Sequence, residues 1–189
     1  MAINGSGGSA AKGMKMRTEA KTIVAVVAIV ATGFATANAQ AAETIKIRGN
    51  SPKTLRFDGP KEIKSGERLT IVNQTGPRRI GPHTFTLAAE KFIPSTGSEL
   101  RTCIPDGPCG DVGKAHKIDP DTFAVGEPRV ERGQTGFDAI FNSDHFGDSE
   151  FFGANAEELS RTVTVEPHRV LHFFCAVHPQ MQGKIRVVR

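Results

Sequence analysis

Tryptophan and tyrosine are absent from this 189-residue chain, and phenylalanine supplies every aromatic ring. No basic stripe with interleaved aromatics occurs, so nucleic-acid binding has no support. There is no Ser-His-Asp spacing, no phosphate-binding glycine motif and no nucleotide fingerprint. Internal repeats are missing, which excludes a solenoid or propeller. No apolar run is long enough to span a bilayer comfortably. Cysteine is scarce: Cys103, Cys109 and Cys175 are the only three.

The longest apolar run, Thr22 to Phe34, carries no charge. It follows a basic stretch containing Lys12, Lys15, Arg17 and Lys21, and it precedes Ala37-Asn38-Ala39. A basic region, a short apolar region and an A-x-A site, in that order, read as a secretory leader over residues 1–39. Met14 and Met16 are alternative starts, and an uncleaved membrane anchor is the alternative reading. No stop-transfer pattern follows the run, so stable membrane insertion after cleavage is not expected. The whole chain carries a formal charge of +4. Without the leader about +1 remains, so the basic balance says little about partners. A periplasmic or otherwise exported location is expected, and export makes disulfides permissible.

Roughly 150 residues are left, enough for one domain with a real core, over 40–189. The pattern there is short alternating strands between turn residues. Candidates are Thr44 to Arg48, Thr54 to Phe57, Arg68 to Asn73, His83 to Leu87, Thr162 to Val165, Val170 to Cys175 and Lys184 to Val188. Many short strands with Gly/Pro turns predict an all-β sandwich. The pattern breaks from about 88 to 155, where prolines and glycines crowd the chain. A long, loop-rich insertion is expected there, with a short strand or helix around Phe137 to Phe141 and one helical turn at Ala154 to Leu159. Cys103 and Cys109 flank Ile104-Pro105-Asp106-Gly107-Pro108. A Pro/Gly turn bringing two cysteines together in an oxidising compartment reads as a disulfide, with metal binding by the pair as the alternative.

The third cysteine is different. Leu171-His172-Phe173-Phe174-Cys175-Ala176-Val177-His178-Pro179-Gln180-Met181-Gln182-Gly183 contains Cys-x-x-His-x-x-Met at the end of a strand. Thiolate, imidazole and a weak axial thioether are the donor types of a blue-copper site, which also needs a second imidazole. Strand alternation puts Leu171, Phe173 and Cys175 on one face, with His172 opposite. His83 is the best candidate for the second imidazole, because it shares a face with Phe85 and Leu87 and follows the turn-like Gly81-Pro82. The expected cofactor is therefore one mononuclear copper held by His83, Cys175, His178 and Met181. Four protein donors leave no ready position for substrate, which favours a carrier over an enzyme. His116 and His145 lie among acidic residues, including Asp111, Asp119, Asp144 and Asp148, where a second metal is an alternative.

Cys175 to Gly183 resembles the ligand loop of amicyanin-type cupredoxins, a family that includes plastocyanin and pseudoazurin. The family's Cys-x-x-His-Pro-x-Met loop is followed by Gly and a last strand, matched by Gly183 and the strand beyond it. Its upstream Pro-His is matched by Pro82-His83. The resemblance implies a Greek-key β-sandwich with copper near one end. It also implies one-electron transfer through the exposed edge of His178 within an apolar patch, serving a redox donor and acceptor protein. It covers the two ligand segments and their flanking strands, and not the insertion. The chain departs from the family at Thr84, where Asn often ties the ligand loops together, and at Leu171 and Phe173, which replace a common tyrosine. The expected protein is an exported monomer. Copper storage or delivery through the same site is the alternative, although its usual Met- or His-rich tract is missing.

Overall fold

The computed structural model describes residues 42–76, 80–133, 135–138, 145–153 and 157–189. The leader and its cleavage site lie outside these residues, as do Asp144, residues 139–141 of the element expected around 137–141 and residues 154–156 of the one expected at 154–159. In chain order the elements are β1 (Ala42–Arg48), β2 (Arg56–Asp58), β3 (Glu62–Lys64), β4 (Arg68–Asn73) and β5 (His83–Ala88), then α1 (Gly97–Thr102) and α2 (Pro108–Ala115), then β6 (Arg129–Val130), β7 (Ser149–Phe152), β8 (Glu158–Thr162), β9 (Val170–Phe174) and β10 (Gln182–Val188). No helix among the described residues is long and apolar enough to cross a membrane.

The strands form two mixed sheets, ordered β2-β1-β4-β8 and β3-β10-β9-β5-β7-β6. The period of two along each strand explains the sandwich. Ile45 and Ile47 of β1, with Leu69 and Ile71 of β4, turn inward from the smaller sheet. They meet Phe85 and Leu87 of β5, Leu171 and Phe173 of β9, and Ile185 and Val187 of β10. With Trp and Tyr absent, phenylalanines fill the centre. The Phe85 ring lies 4.7 Å from Phe173 and 5.3 Å from Phe137, centroid to centroid. Each buried side chain of this size stabilises the fold by roughly 1.5–3 kcal/mol.

The described residues between 88 and 155 include two helices and two strands, more regular structure than their Pro/Gly content suggests. Strand β7 belongs to the larger sheet, pairing antiparallel with β5 so that His83 faces Phe152 and Thr86 faces Ser149. Between β5 and β6 the chain leaves the sheet and forms two helices. Helix α1 starts with a capping box: the Thr96 hydroxyl accepts the Glu99 amide, and Glu99 accepts the Thr96 amide. Helix α2 opens with Pro at its first turn, where no amide is needed. A disulfide joins Cys103 to Cys109, with Cα atoms 5.0 Å apart. Gly110 is required here, because a Cβ at that position would sit 1.7 Å from the Pro105 carbonyl oxygen.

Cys103, Cys109 and Val112 pack against Ala88, Phe174 and Ala176, forming a second core on the outer side of the sheet. All six residues of β5 are therefore buried, including Thr84 and Thr86. A strand covered on both faces is expected to be wholly apolar, so its hydroxyls need internal partners. Of the helical turn expected at Ala154 to Leu159, Glu158 and Leu159 belong instead to strand β8, which pairs with β4 from Glu158 to Thr162. The competing pull is edge pairing with an already formed sheet, which a local propensity reading cannot weigh.

Candidate metal centre

The centre lies where β5 begins and β9 ends. Strands β5 and β9 are neighbours, with Thr86 opposite Phe174, so the start of one strand meets the chain just beyond the other. Cys175 follows β9 on the inward face set by Leu171 and Phe173, and it is fully buried. The chain then turns tightly: the Met181 amide donates to the His178 carbonyl (2.8 Å) and the Cys175 amide to the Met181 carbonyl (3.0 Å). This closure returns Met181 to the same buried cluster as Cys175.

Cys175 Sγ lies 3.9 Å from His83 Nδ1 and 3.8 Å from His178 Nδ1. The three donor atoms are all within 4.8 Å of one another, and the two rings stand 4.9 Å apart. An ion about 2.3 Å from sulfur and about 2.0 Å from each nitrogen would see sulfur–nitrogen angles of roughly 125–130°, close to a trigonal plane. The set fits one mononuclear copper ion. Among the described residues no other group of three or more His, Cys, Asp or Glu side chains converges in this way.

The protonation states suit this role. Burial, with His178 alongside, holds the His83 pKa down to about 4. Burial also lowers His178, with a hydrogen bond to the Ile80 backbone opposing it. Both imidazoles are thus neutral near pH 7, with lone pairs to give. Burial pushes the Cys175 thiol up, opposed by the Thr84, His178 and Val177 amides and the Thr84 hydroxyl. A metal entering here must displace the thiol proton.

Two sets of neighbours hold the donors in place. The Thr75 hydroxyl donates to Asn73 Oδ1 (2.7 Å) and lies 3.0 Å from His83 Nε2. Its one proton is thus spent, so it accepts from His83 Nε2–H, and Nδ1 is left bare toward Cys175. Asn73 is itself anchored, donating to the Gly153 carbonyl at 3.2 Å. On the other side, Thr84 ties the two ligand segments together: its amide donates to Cys175 Sγ (3.3 Å) and its hydroxyl accepts the Ala176 amide (2.7 Å). Thr84 thus does the tying at the position where the resemblance leads one to expect Asn. Nothing in the local pattern pointed to Asn73 or Thr75.

The remaining histidines lie elsewhere. His116 is buried between the Glu127 carbonyl and Ser149. His145 pairs with Asp111, and His172 lies near Glu90 (3.8 Å). His168 occupies a left-handed turn before β9, with φ of 72°. A largely apolar cavity of about 360 Å³ opens beside the ligand loop, between Pro82, Thr84, Ala176 and Val177 on one side and Ile104 and Phe123 on the other. The excursion thus reaches the end of the sandwich where His83, Cys175 and His178 converge.

Neither a family model nor a curated protein matches the chain. Among solved structures it is similar to auracyanin A, a "blue" copper protein of Chloroflexus aurantiacus, at 17% identity over 78% of this chain and 98% of that one, with a TM-score of 0.40. It is also similar to dithionite-reduced auracyanin from Roseiflexus castenholzii, at 12% identity over 78% and 97%, with a TM-score of 0.39. Auracyanin B gives 12% identity over 80% and 90%, with a TM-score of 0.40. At that level of likeness the site's chemistry has to be read from this chain's own atoms.

Proposed function

We propose that this chain is an exported type 1 blue-copper protein that carries single electrons between redox proteins, with His83, Cys175, His178 and Met181 as the copper ligands. The observation that carries this is the buried convergence of Cys175 Sγ with the Nδ1 atoms of His83 and His178. Copper supplies a one-electron couple when bound. The chain supplies a soft thiolate, two neutral imidazoles and a buried thioether, held by strands and a hydrogen-bonded turn that have little room to rearrange. Small rearrangement means a small barrier to electron exchange.

His178 is the electron port in this reading: it is half-buried, whereas His83, Cys175 and Met181 are almost wholly enclosed. Four protein donors leave no open position for a substrate, which supports a carrier rather than an enzyme. The leader-like residues 1–39 support export, and a donor and an acceptor protein are the implied partners.

The test is a visible spectrum of the Cu(II)-loaded protein beside Cys175→Ala. A strong thiolate-to-copper band, lost in the variant and bleached reversibly by one electron, is expected. A colourless copper complex, or a coloured one with no redox response, overturns the reading.

A further inference from the structure

Four polar side chains outside the ligand set form an unbroken buried line to the centre. His116, Ser149, Thr86 and Thr84 each have no measurable exposure. His116 Nδ1 lies against the Glu127 carbonyl at 2.5 Å and Nε2 against Ser149 Oγ at 2.8 Å. Ser149 Oγ is 2.8 Å from Thr86 Oγ1, and Thr86 donates to Thr84 Oγ1 at 3.0 Å. Thr84 ends the line on the copper side: its amide donates to Cys175 Sγ at 3.3 Å, and its hydroxyl oxygen already accepts from Thr86 and from the Ala176 amide, which leaves its own proton for the neighbouring sulfur. Three buried hydroxyls on adjacent strands are costly unless each is satisfied. A simpler core would place valine or alanine there.

We propose that His116, acting through Ser149 and Thr86, is a positioning residue that sets how strongly Thr84 hydrogen-bonds the Cys175 sulfur, and thereby tunes the copper potential. The inference rests on the copper reading above.

The proton inventory gives the sign. A carbonyl can only accept, so His116 carries its proton on Nδ1. Burial holds the ring's pKa below the ordinary value, so Nε2 is bare and takes the Ser149 proton. Thr86 then has one proton and two oxygens competing for it, Ser149 and Thr84. Whatever reaches Thr84 polarises its hydroxyl toward sulfur. Reduction adds negative charge to the site, and a stronger hydrogen bond to the thiolate stabilises that form.

Two substitutions should therefore act in opposite directions, which general damage to packing would not produce. Thr86→Val removes the donor to Thr84; the reduction potential should fall and the thiolate-to-copper band move to lower energy. His116→Phe releases the Ser149 proton to Thr86, whose own proton then goes wholly to Thr84, so the potential should rise. Thr86→Ser should match the parent in both. In the metal-free proteins the Ala176 amide proton, which Thr84 Oγ1 accepts, should shift oppositely in the two variants by NMR. Should His116→Phe fail to fold, the Thr86 pair decides the matter. Potentials equal to the parent's with an intact band, or shifts of the same sign in both variants, overturn the relay while leaving the copper reading standing. Absence of the band in the parent overturns both.

Discussion

Replacing Thr75 by valine should weaken copper binding without touching a ligand. The hydroxyl of Thr75 is buried, gives its proton to Asn73, and accepts from His83 Nε2 at 3.0 Å. Valine keeps the shape and leaves a buried Nε2–H with no acceptor, at a cost of roughly 1–3 kcal/mol. The ring can relieve that cost by moving its proton to Nδ1 or by rotating. Either escape removes the lone pair that faces Cys175, and it must be reversed before metal binds. Removing a partner of this kind costs about 10–100-fold in metal affinity, or about 1.4–2.8 kcal/mol. Competition for Cu(II) against a chromophoric chelator measures this directly. Thr75→Ser, which retains the hydroxyl, should bind like the parent. A Thr75→Val protein within twofold of the parent would show that His83 needs no such support, and the tautomer argument would be refuted.

Gly183→Ala should destabilise the fold by about 1–3 kcal/mol in urea unfolding, the usual range for an overpacked core. The new Cβ would lie 2.4 Å from the Phe173 ring, which is itself wedged between Phe57 and Phe85. An unchanged midpoint would mean that the ring has room to give. Asp148 is buried and accepts the Arg132 and Asp138 amides at 2.8 and 2.9 Å, yet burial raises its pKa from 3.8 to about 7. The folded state therefore binds this proton more tightly than the unfolded one, and the stability it contributes is present below pH 3.8 and lost as pH rises through about 7. The metal-free parent should accordingly lose stability relative to Asp148→Asn between pH 5 and pH 8, by about the share that Asp148 holds, since Glu150 is raised to about 7 by the same cause. A constant difference across that range in chemical denaturation would contradict the assignment.

Three of the four proposed ligands were legible because they lie within seven consecutive residues, Cys175 to Met181. Their spacing at the end of an alternating strand is a local property, carried by the backbone period of two. His83 was reachable only by its face and its Pro82 neighbour; its partner Cys175 is 92 positions away, and the β5–β9 register brings them together. The period of two puts Thr84 and Thr86 on the face opposite His83, Phe85 and Leu87. They are buried because α2 and the disulfide-closed turn cover that face, and the sequence of β5 holds no sign of it.

The chain alone thus determined the sandwich and the donor types, because alternation and ligand chemistry are written residue by residue. Which hydroxyl serves which imidazole was decided by tertiary structure. Thr75 reaches His83 eight positions on, and His116 reaches Ser149 across 33 positions. Hydrogen bonds of that kind depend on angstrom-scale placement of separate elements, and such placement follows from packing two cores against opposite faces of one sheet.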